Sequence, residues 1–369
     1  MPSHQHDRYQ AAGASVCEKC ALEPEKLRML AQKRIGVEDR TLSRSTVRCC
    51  SNNSAGLESL LTLEGLMRHR AIATMLNRSG RIQLCAEMHA ILARRQLSPN
   101  VTRLDVLAPR IAQIRQPGQF VIVRLQENAE RIPLTIADAD ANAGSIALVI
   151  QSVGKSTREL VALKPGESIS DLVGPLGHPT EMIESGAALC VGGGVGTAVV
   201  HPIAQALARR GVRVASIIGG RSREWVVFEE ELRRLGPVEV CTDDGSYGRK
   251  GFVTDAARQA LDAGGIDIVY AVGPVPMMRA MANLTRSFGV RTIVSLNPVM
   301  IDGTGMCGGC RVSVGNETRF ACVDGPEFDG HQVNFDELMD RLSMYREFEQ
   351  QSIACADGDC RLGQRASSS

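Results

Sequence analysis

The sequence has almost no charge to spare. Lys and Arg number 42 against 41 Asp and Glu, a net charge of +1. No basic face is implied for nucleic acid or for an anionic membrane surface. There is no apolar run approaching the ~18 residues of a membrane span, and the N-terminus lacks the apolar core of a signal peptide. Cysteine is scarce where a disulfide scaffold would need it. Of 12 Cys, only Cys190 and Cys241 fall between Met88 and Met306. That distribution excludes a secreted disulfide framework and points to a reducing, cytoplasmic compartment.

What is present is a dense stretch near the C-terminus, Asp302-Gly-Thr-Gly-Met-Cys307-Gly-Gly-Cys310, followed by Cys322. With Cys in place of Asp302 the spacing would be that of a plant-type 2Fe–2S ferredoxin, C-x4-C-x2-C…C. Interleaved glycines let a backbone wrap a cluster without Cβ clashes. A structural zinc site or incidental thiols are the alternatives; zinc usually takes two C-x2-C pairs, and here there is one pair and a lone Cys.

The 369 residues allow two or three domains. Residues 1–87 hold Arg-rich patches and no sustained strand pattern. They read as a weakly ordered extension, or as sequence upstream of the true start. Cys17-x2-Cys20 with Cys49 and Cys50 has an irregular spacing for zinc. From 88 to 183 short Val/Ile/Leu-rich segments (Ala90–Gln96, Val101–Leu107, Gln119–Leu125 and Ser145–Gln151) alternate with Pro-Gly and Asn-Ala-Gly turns. This spacing predicts a small antiparallel barrel or sandwich, with the barrel expected. From 184 to 297 apolar runs alternate with helical stretches near 197–210, 226–235, 254–262 and 275–288. Five such βα repeats predict a doubly wound parallel sheet. Residues 298–350 hold the cysteine loop and a predicted helix from Phe335 to Gln350, and 351–369 a flexible tail. The fold class expected is a β barrel plus α/β, with a small C-terminal module.

Gly192, Gly193, Gly194 and Gly196 lie where the first parallel strand turns into a helix, where a pyrophosphate can approach backbone N–H groups. A plain tight turn explains the same residues. Arg221 and Arg223 stand where an acidic residue would hold a ribose 2′-hydroxyl. They can take a 2′-phosphate or be ordinary solvated charges. Arg131-Ile-Pro133-Leu134-Thr135 reads as a strand with Pro at its edge, although an Arg with a hydroxyl four residues on can hold a phosphate and a flavin edge. Gly154-Lys-Ser156-Thr157 starts a helix, either offering N–H groups to a pyrophosphate or simply capping it. Thr242–Gly248 and Val272–Met278 end two further parallel strands on the crevice edge, where they read as a cofactor wall or as plain helix-entry turns.

Taken in order, RIPLT, GKST, GPLG, GGGVG, TDDGSYG, VGPVPMM and DGTGMCGGC…C resemble the ferredoxin–NADP reductase superfamily. The branch with an appended 2Fe–2S module is the one they look like. That branch includes the dihydroorotate dehydrogenase electron-transfer subunit and the small subunit of sulfide dehydrogenase, the NADH-dependent reduced ferredoxin:NADP oxidoreductase. The similarity covers about Met88 to Gln350, and Asp302 in the first ligand place sits closest to the latter type. The resemblance implies FAD contacts at Arg131, Pro133, Leu134, Thr135, Gly154, Ser156 and Thr157. It implies a nicotinamide nucleotide, NAD(H) or NADP(H), at Gly192 to Gly196, Asp243, Gly273 and Pro274. Iron would be held by Asp302, Cys307, Cys310 and Cys322. No acid–base residue is required for hydride transfer. A larger partner subunit with its own FAD and 4Fe–4S clusters is implied, and ferredoxin reached through it. The rival readings are the dihydroorotate-type subunit and a redox-sensing protein of the same fold. Two departures are Val272, where the superfamily often has Cys before Gly-Pro, and Val199, where it usually has Pro.

Overall fold

The structure is a computed structural model, described here for residues 89–356. The extension 1–87 and the side chains of Cys355 and Cys360 lie outside the described residues. The N-terminal part alternates buried and half-buried positions with period two, as in Thr102–Leu107, and so forms sheet. Six antiparallel strands run in the order β1 (Ile91–Ser98), β2 (Val101–Leu107), β5 (Ser145–Gln151), β4 (Arg131–Asp140), β3 (Phe120–Arg124) and β6 (Asp171–Leu176). The sheet curls until β1 meets the segment leading into β6. Ile91 N donates to Glu167 O (2.8 Å) and Gly166 N to Ile91 O (2.9 Å), which closes the barrel. Leu104, Ile136, Ile146, Leu148 and Ile150 fill it, all fully buried. Helices α1 (Pro109–Ile114) and α2 (Lys155–Ala162) pack on its outside.

The second sheet is parallel at its centre, and its middle strand is apolar throughout because both faces are covered. All seven residues of β7 (Ala187–Gly193) are buried. Its neighbours are β8 (Arg213–Gly220), β9 (Val238–Thr242) and the two-residue β10 (Arg249–Lys250) on one side. On the other are β11 (Ile268–Val272) and β12 (Arg291–Ser295). The crossovers are α3 (Thr197–Arg209), α4 (Glu229–Arg233), α5 (Val253–Asp262) and α6 (Val275–Phe288). The chain winds outward from β7 in one direction, then returns to its far side at β11. Between β7 and β11 the crossovers therefore part, and a crevice opens at the strands' C-terminal ends.

The C-terminal segment is built onto this sheet. A hairpin, β13 (Arg311–Val314) with β14 (Glu317–Phe320), carries the cysteine loop. After it β15 (Glu327–Asp329) pairs antiparallel with β12, Ser295 opposite Glu327. One apolar cluster runs through all three regions. It joins Phe120 and Ile122 of the barrel, Val191 and Val294 of the parallel sheet, and Val312, Cys322 and Leu338 of the C-terminal segment. The single helix predicted over Phe335–Gln350 is two helices, α7 (Phe335–Ser343) and α8 (Arg346–Ala356), broken at Met344 and Tyr345. Asn334 caps α7 by accepting from Glu337 N (3.1 Å). Among the described residues no helix is long and apolar enough to cross a membrane.

Candidate functional site

At the switch point β7 ends in Gly192-Gly193, a single 3-10 turn covers Gly194–Gly196, and α3 begins at Thr197. The turn's two glycine positions cannot carry side chains. A Cβ on Gly196 would stand 2.4 Å from the Val272 carbonyl oxygen of the neighbouring strand, and Gly194 has φ +56°. The backbone can thus lie against β11 while the N-terminus of α3 stays uncovered.

A cleft of about 930 Å³ opens here between the barrel and the parallel sheet. Of the residues singled out in the sequence, Pro133, Thr135, Gly193, Gly194, Gly196, Asp243, Gly273 and Pro274 line it, and so does Arg221. Pro133 and Thr135 come from β4, with Phe120 opposite Thr135 in the barrel ladder and also in the wall. Val272, Met277, Leu296 and Met300 make the deep part apolar.

Gly192 sits one residue behind the lining. Arg131, Leu134, Gly154, Ser156 and Thr157 are not brought into the cleft, although their neighbours Asn100, Gln151 and Val153 are. Both hydroxyls of the GKST turn are committed elsewhere. Thr157 Oγ1 accepts from Gly154 N (2.9 Å) and Val153 N (3.1 Å), closing a cap on α2. Ser156 Oγ donates to the Glu130 carboxylate (2.5 Å). What remains for an anion at this end is the backbone N–H groups of the first turn and the exposed Arg131 guanidinium. That guanidinium has no ion pair among the described residues.

Other wall residues escaped sequence reasoning. Trp225, the chain's one tryptophan, lies over Gly220 and lines the cleft, and Phe252 stands at its mouth with 65% of its surface exposed. Ser295, Asn297 and Pro326 come from the end of β12 and the start of β15. A lone tryptophan just after a parallel strand was a signal that could have been used. Nothing local marks Ser295 or Pro326. The two arginines separate: Arg223 lies 5.1 Å from the Tyr247 ring centroid, a cation–π contact, while Arg221 faces the cleft.

The cysteine loop folds as its glycines require, with Gly303, Gly305 and Gly308 at φ +75°, +84° and +65°. Its donors fall into two pairs. Cys310 Sγ donates to Cys322 Sγ at 3.1 Å, in a buried site. Asp302 and Cys307 form the other pair, on the exposed side. Asp302 Oδ2 accepts from Cys307 N (2.9 Å) and Oδ1 from Thr304 N (2.8 Å). Those backbone N–H groups hold the Asp302 carboxyl below its usual range. Burial, with the Cys310 contact, pushes the Cys322 thiol up to about 12. Among the described residues no three such groups converge on a single metal ion. Cys310 and Cys322 in contact, with Asp302 bound to Cys307 on the same loop, would suit a two-iron cluster with two protein ligands for each iron. From helix α7 Arg341 donates to the Gly309 carbonyl (3.1 Å) and steadies the loop.

Residues 297–334 match the model of the iron–sulfur cluster binding domain of dihydroorotate dehydrogenase B. The chain is 45% identical over 262 residues to a protein of Thermotoga maritima described as a dihydroorotate dehydrogenase B (NAD(+)) electron transfer subunit homolog. That alignment covers 71% of this chain and 93% of the relative. The electron transfer subunit of Geobacillus thermodenitrificans is 35% identical over 256 residues, 67% of this chain and 98% of its own length. Among solved structures, a chain of the NADH-dependent reduced ferredoxin–NADP oxidoreductase superposes with a TM-score of 0.69 at 44% identity, covering 72% of this chain and 96% of that one. With its barrel, its doubly wound sheet and its cysteine loop, this chain belongs to the family of dihydroorotate dehydrogenase B electron-transfer subunits and their homologues.

Proposed function

We propose that the protein moves electrons between NAD(H) or NADP(H), FAD and a 2Fe–2S cluster, and exchanges them with a larger partner subunit. One observation carries this reading: a single cleft is lined both by the barrel residues Pro133 and Thr135 and by the nucleotide turn Gly193, Gly194 and Gly196. A ligand bound to the barrel and one bound to the turn would meet there. The division of labour follows residues 88–183 for the flavin, 184–297 for the nicotinamide nucleotide and 298–350 for the cluster.

A flavin bound in the cleft supplies the exchange between two-electron hydride transfer and one-electron transfer. The chain's own residues supply the rest. Arg131 and the N-terminal N–H groups of α2 offer positive charge to a pyrophosphate. Pro133, Leu134 and Thr135 hold the barrel edge against which a ring system can lie. Gly192 to Gly196, Asp243, Gly273 and Pro274 receive the nicotinamide nucleotide. Val272, Met277 and Met300 keep water from the place of hydride transfer. Asp302, Cys307, Cys310 and Cys322 hold the iron. Around them Met306, Ile301 and Val323 are 90%, 51% and 42% exposed. This apolar rim beside the iron is the surface on which the larger subunit, with its own FAD and 4Fe–4S clusters, is proposed to sit. Ferredoxin would be reached through that subunit.

The second reading, a partner that oxidises dihydroorotate, is favoured by the 35% identity to a dihydroorotate dehydrogenase B subunit. Purified anaerobically, the protein should carry about one FAD and about two irons per chain, and NADH or NADPH should bleach its flavin absorbance. A colourless, iron-free protein would sink the reading. The partner that copurifies, tested with dihydroorotate and with ferredoxin, separates the two enzymes.

A further inference from the structure

Glu327, the first residue of β15, occupies the seam where barrel, parallel sheet and C-terminal segment meet. Its Oε1 accepts from Thr180 Oγ1 of the barrel (3.0 Å). Its Oε2 is buried with no partner among the described residues. The space is tight: a Cβ on Gly118 would lie 2.9 Å from Glu327 Oε1 and 2.4 Å from Thr180 Oγ1. Both immediate reference points belong to the cleft, since Pro326 precedes Glu327 and Ser295 faces it across the ladder. On the other side, Gly325 O accepts from His178 N (2.6 Å), and the iron donor Cys322 is a few residues upstream.

Among the described residues no cation pairs with this carboxyl. Arg291 of β12 is engaged by Glu181 in a two-pronged pair (2.8 and 2.7 Å). The phenol of Tyr270 on β11, whose own proton Glu327 helps retain, donates to the Glu181 carbonyl (2.8 Å). Asp329 lies two residues on along the same strand, His178 and Glu181 flank Thr180 on the barrel side, and the Thr180 hydroxyl is the partner the carboxyl has. Burial therefore pushes the Glu327 carboxyl up to about 7. A glutamine would make the same Thr180 bond without a charge to bury. What the carboxyl adds is the ability to change charge.

We propose that Glu327 is the proton-holding group of the electron path, taking up a proton when an electron arrives beside it and releasing it when the electron leaves. The proposal rests on the functional reading above. Hydride leaves a nicotinamide as two electrons and a proton, whereas an iron–sulfur cluster carries electrons only. When those electrons move on singly the hydride's proton is left behind, and each electron that arrives beside the seam adds negative charge without one. The electron comes from the nicotinamide, and the proton is drawn from solvent, which receives the hydride's own proton in exchange. One O–H bond forms on Oε2, no bond to carbon breaks, and the step reverses on electron export. Glu327 is a positioning residue for charge and does not itself line the cleft.

The test uses the complete, cofactor-loaded protein and its Glu327→Gln variant. In infrared difference spectra, wild type should show a carboxylic-acid C=O band near pH 6 that fades through about pH 7. The band should be absent in Glu327→Gln. Thr180→Val, which removes the donor that favours the ionised form, should carry the band to higher pH. In redox titrations, the potentials of the bound cofactors should depend more weakly on pH in Glu327→Gln than in wild type. A purely structural carboxyl would leave that dependence unchanged. Equal pH slopes in the two proteins, or no carboxylic-acid band in wild type near pH 6, would overturn the proposal while leaving the functional reading standing. A protein that binds neither flavin nor iron overturns both.

Discussion

Asp302 spends both carboxylate oxygens on the backbone of its own loop, and each still has a lone pair free. We expect it to cap the loop in the empty chain and to ligate iron in the loaded one. Asp302→Cys should keep a 2Fe–2S cluster with altered EPR g-values. Asp302→Ala should lower iron occupancy by at least about tenfold, because it removes a ligand and two loop contacts together. An unchanged spectrum in Asp302→Cys would end its role as a ligand. The thiols give a second expectation, whose sign follows from the proton. A thiol must lose its proton to bind iron, and burial holds the Cys322 proton up to about 12. Cluster reconstitution in the apo protein should therefore become tighter as pH rises from about 6.5 to about 8.5, followed by visible absorbance. A flat profile would show that the buried pair opens before iron arrives. Asp302, Cys307 and Cys310 could be grouped from their spacing on one short loop, and the hairpin then brings Cys322 back beside Cys310. The commitment of Ser156 to Glu130 was not legible in the sequence: the two residues come from different elements, and only the fold brings them into contact.

At the scale of elements, α2 depends on one hydroxyl. Thr157 takes the free N–H groups of Val153 and Gly154 and returns a bond to the Gly154 carbonyl. Thr157→Ala should cost about 1 kcal/mol in a denaturant melt, and flavin should dissociate more readily because the first turn frays. The strand-end turns were readable in advance, since glycine patterns at β7 and β11 follow from local backbone geometry. The opposite wall was not readable. Trp225, Phe252, Ser295 and Pro326 enter the cleft only because β8, β10, β12 and β15 are placed around it. The break between α7 and α8 also went unseen, because apolar periodicity continues across Met344 and Tyr345, both largely exposed. Trp225 nevertheless makes the cleft observable. With no other tryptophan in the chain, titration with NADH should quench the protein's indole emission saturably. Phe252→Ala should weaken the titration several-fold, and an unquenched indole would place the nucleotide elsewhere.

At the scale of the whole molecule, β15 lies along the outer edge of β12 and the C-terminal segment shares an apolar cluster with both sheets. Ending the chain after Asn297 would uncover that edge, with its unpaired N–H and C=O groups, and strip neighbours from Phe120, Val191 and Val294. We expect the shortened protein to aggregate, and the longer one to melt from 88 onward in a single calorimetric transition. Two separated transitions would show that the cluster segment folds on its own.

Cys310 and Cys322 are buried members of that same apolar cluster, beside the side chains that hold the sheets together. The iron loop is accordingly welded into its host and is no detachable cassette. Recombination could not trade it between reductases by cutting at the preceding loop, because strand edge, core and ligands would have to move together. Its lineage is tied to that of the sheet beneath it.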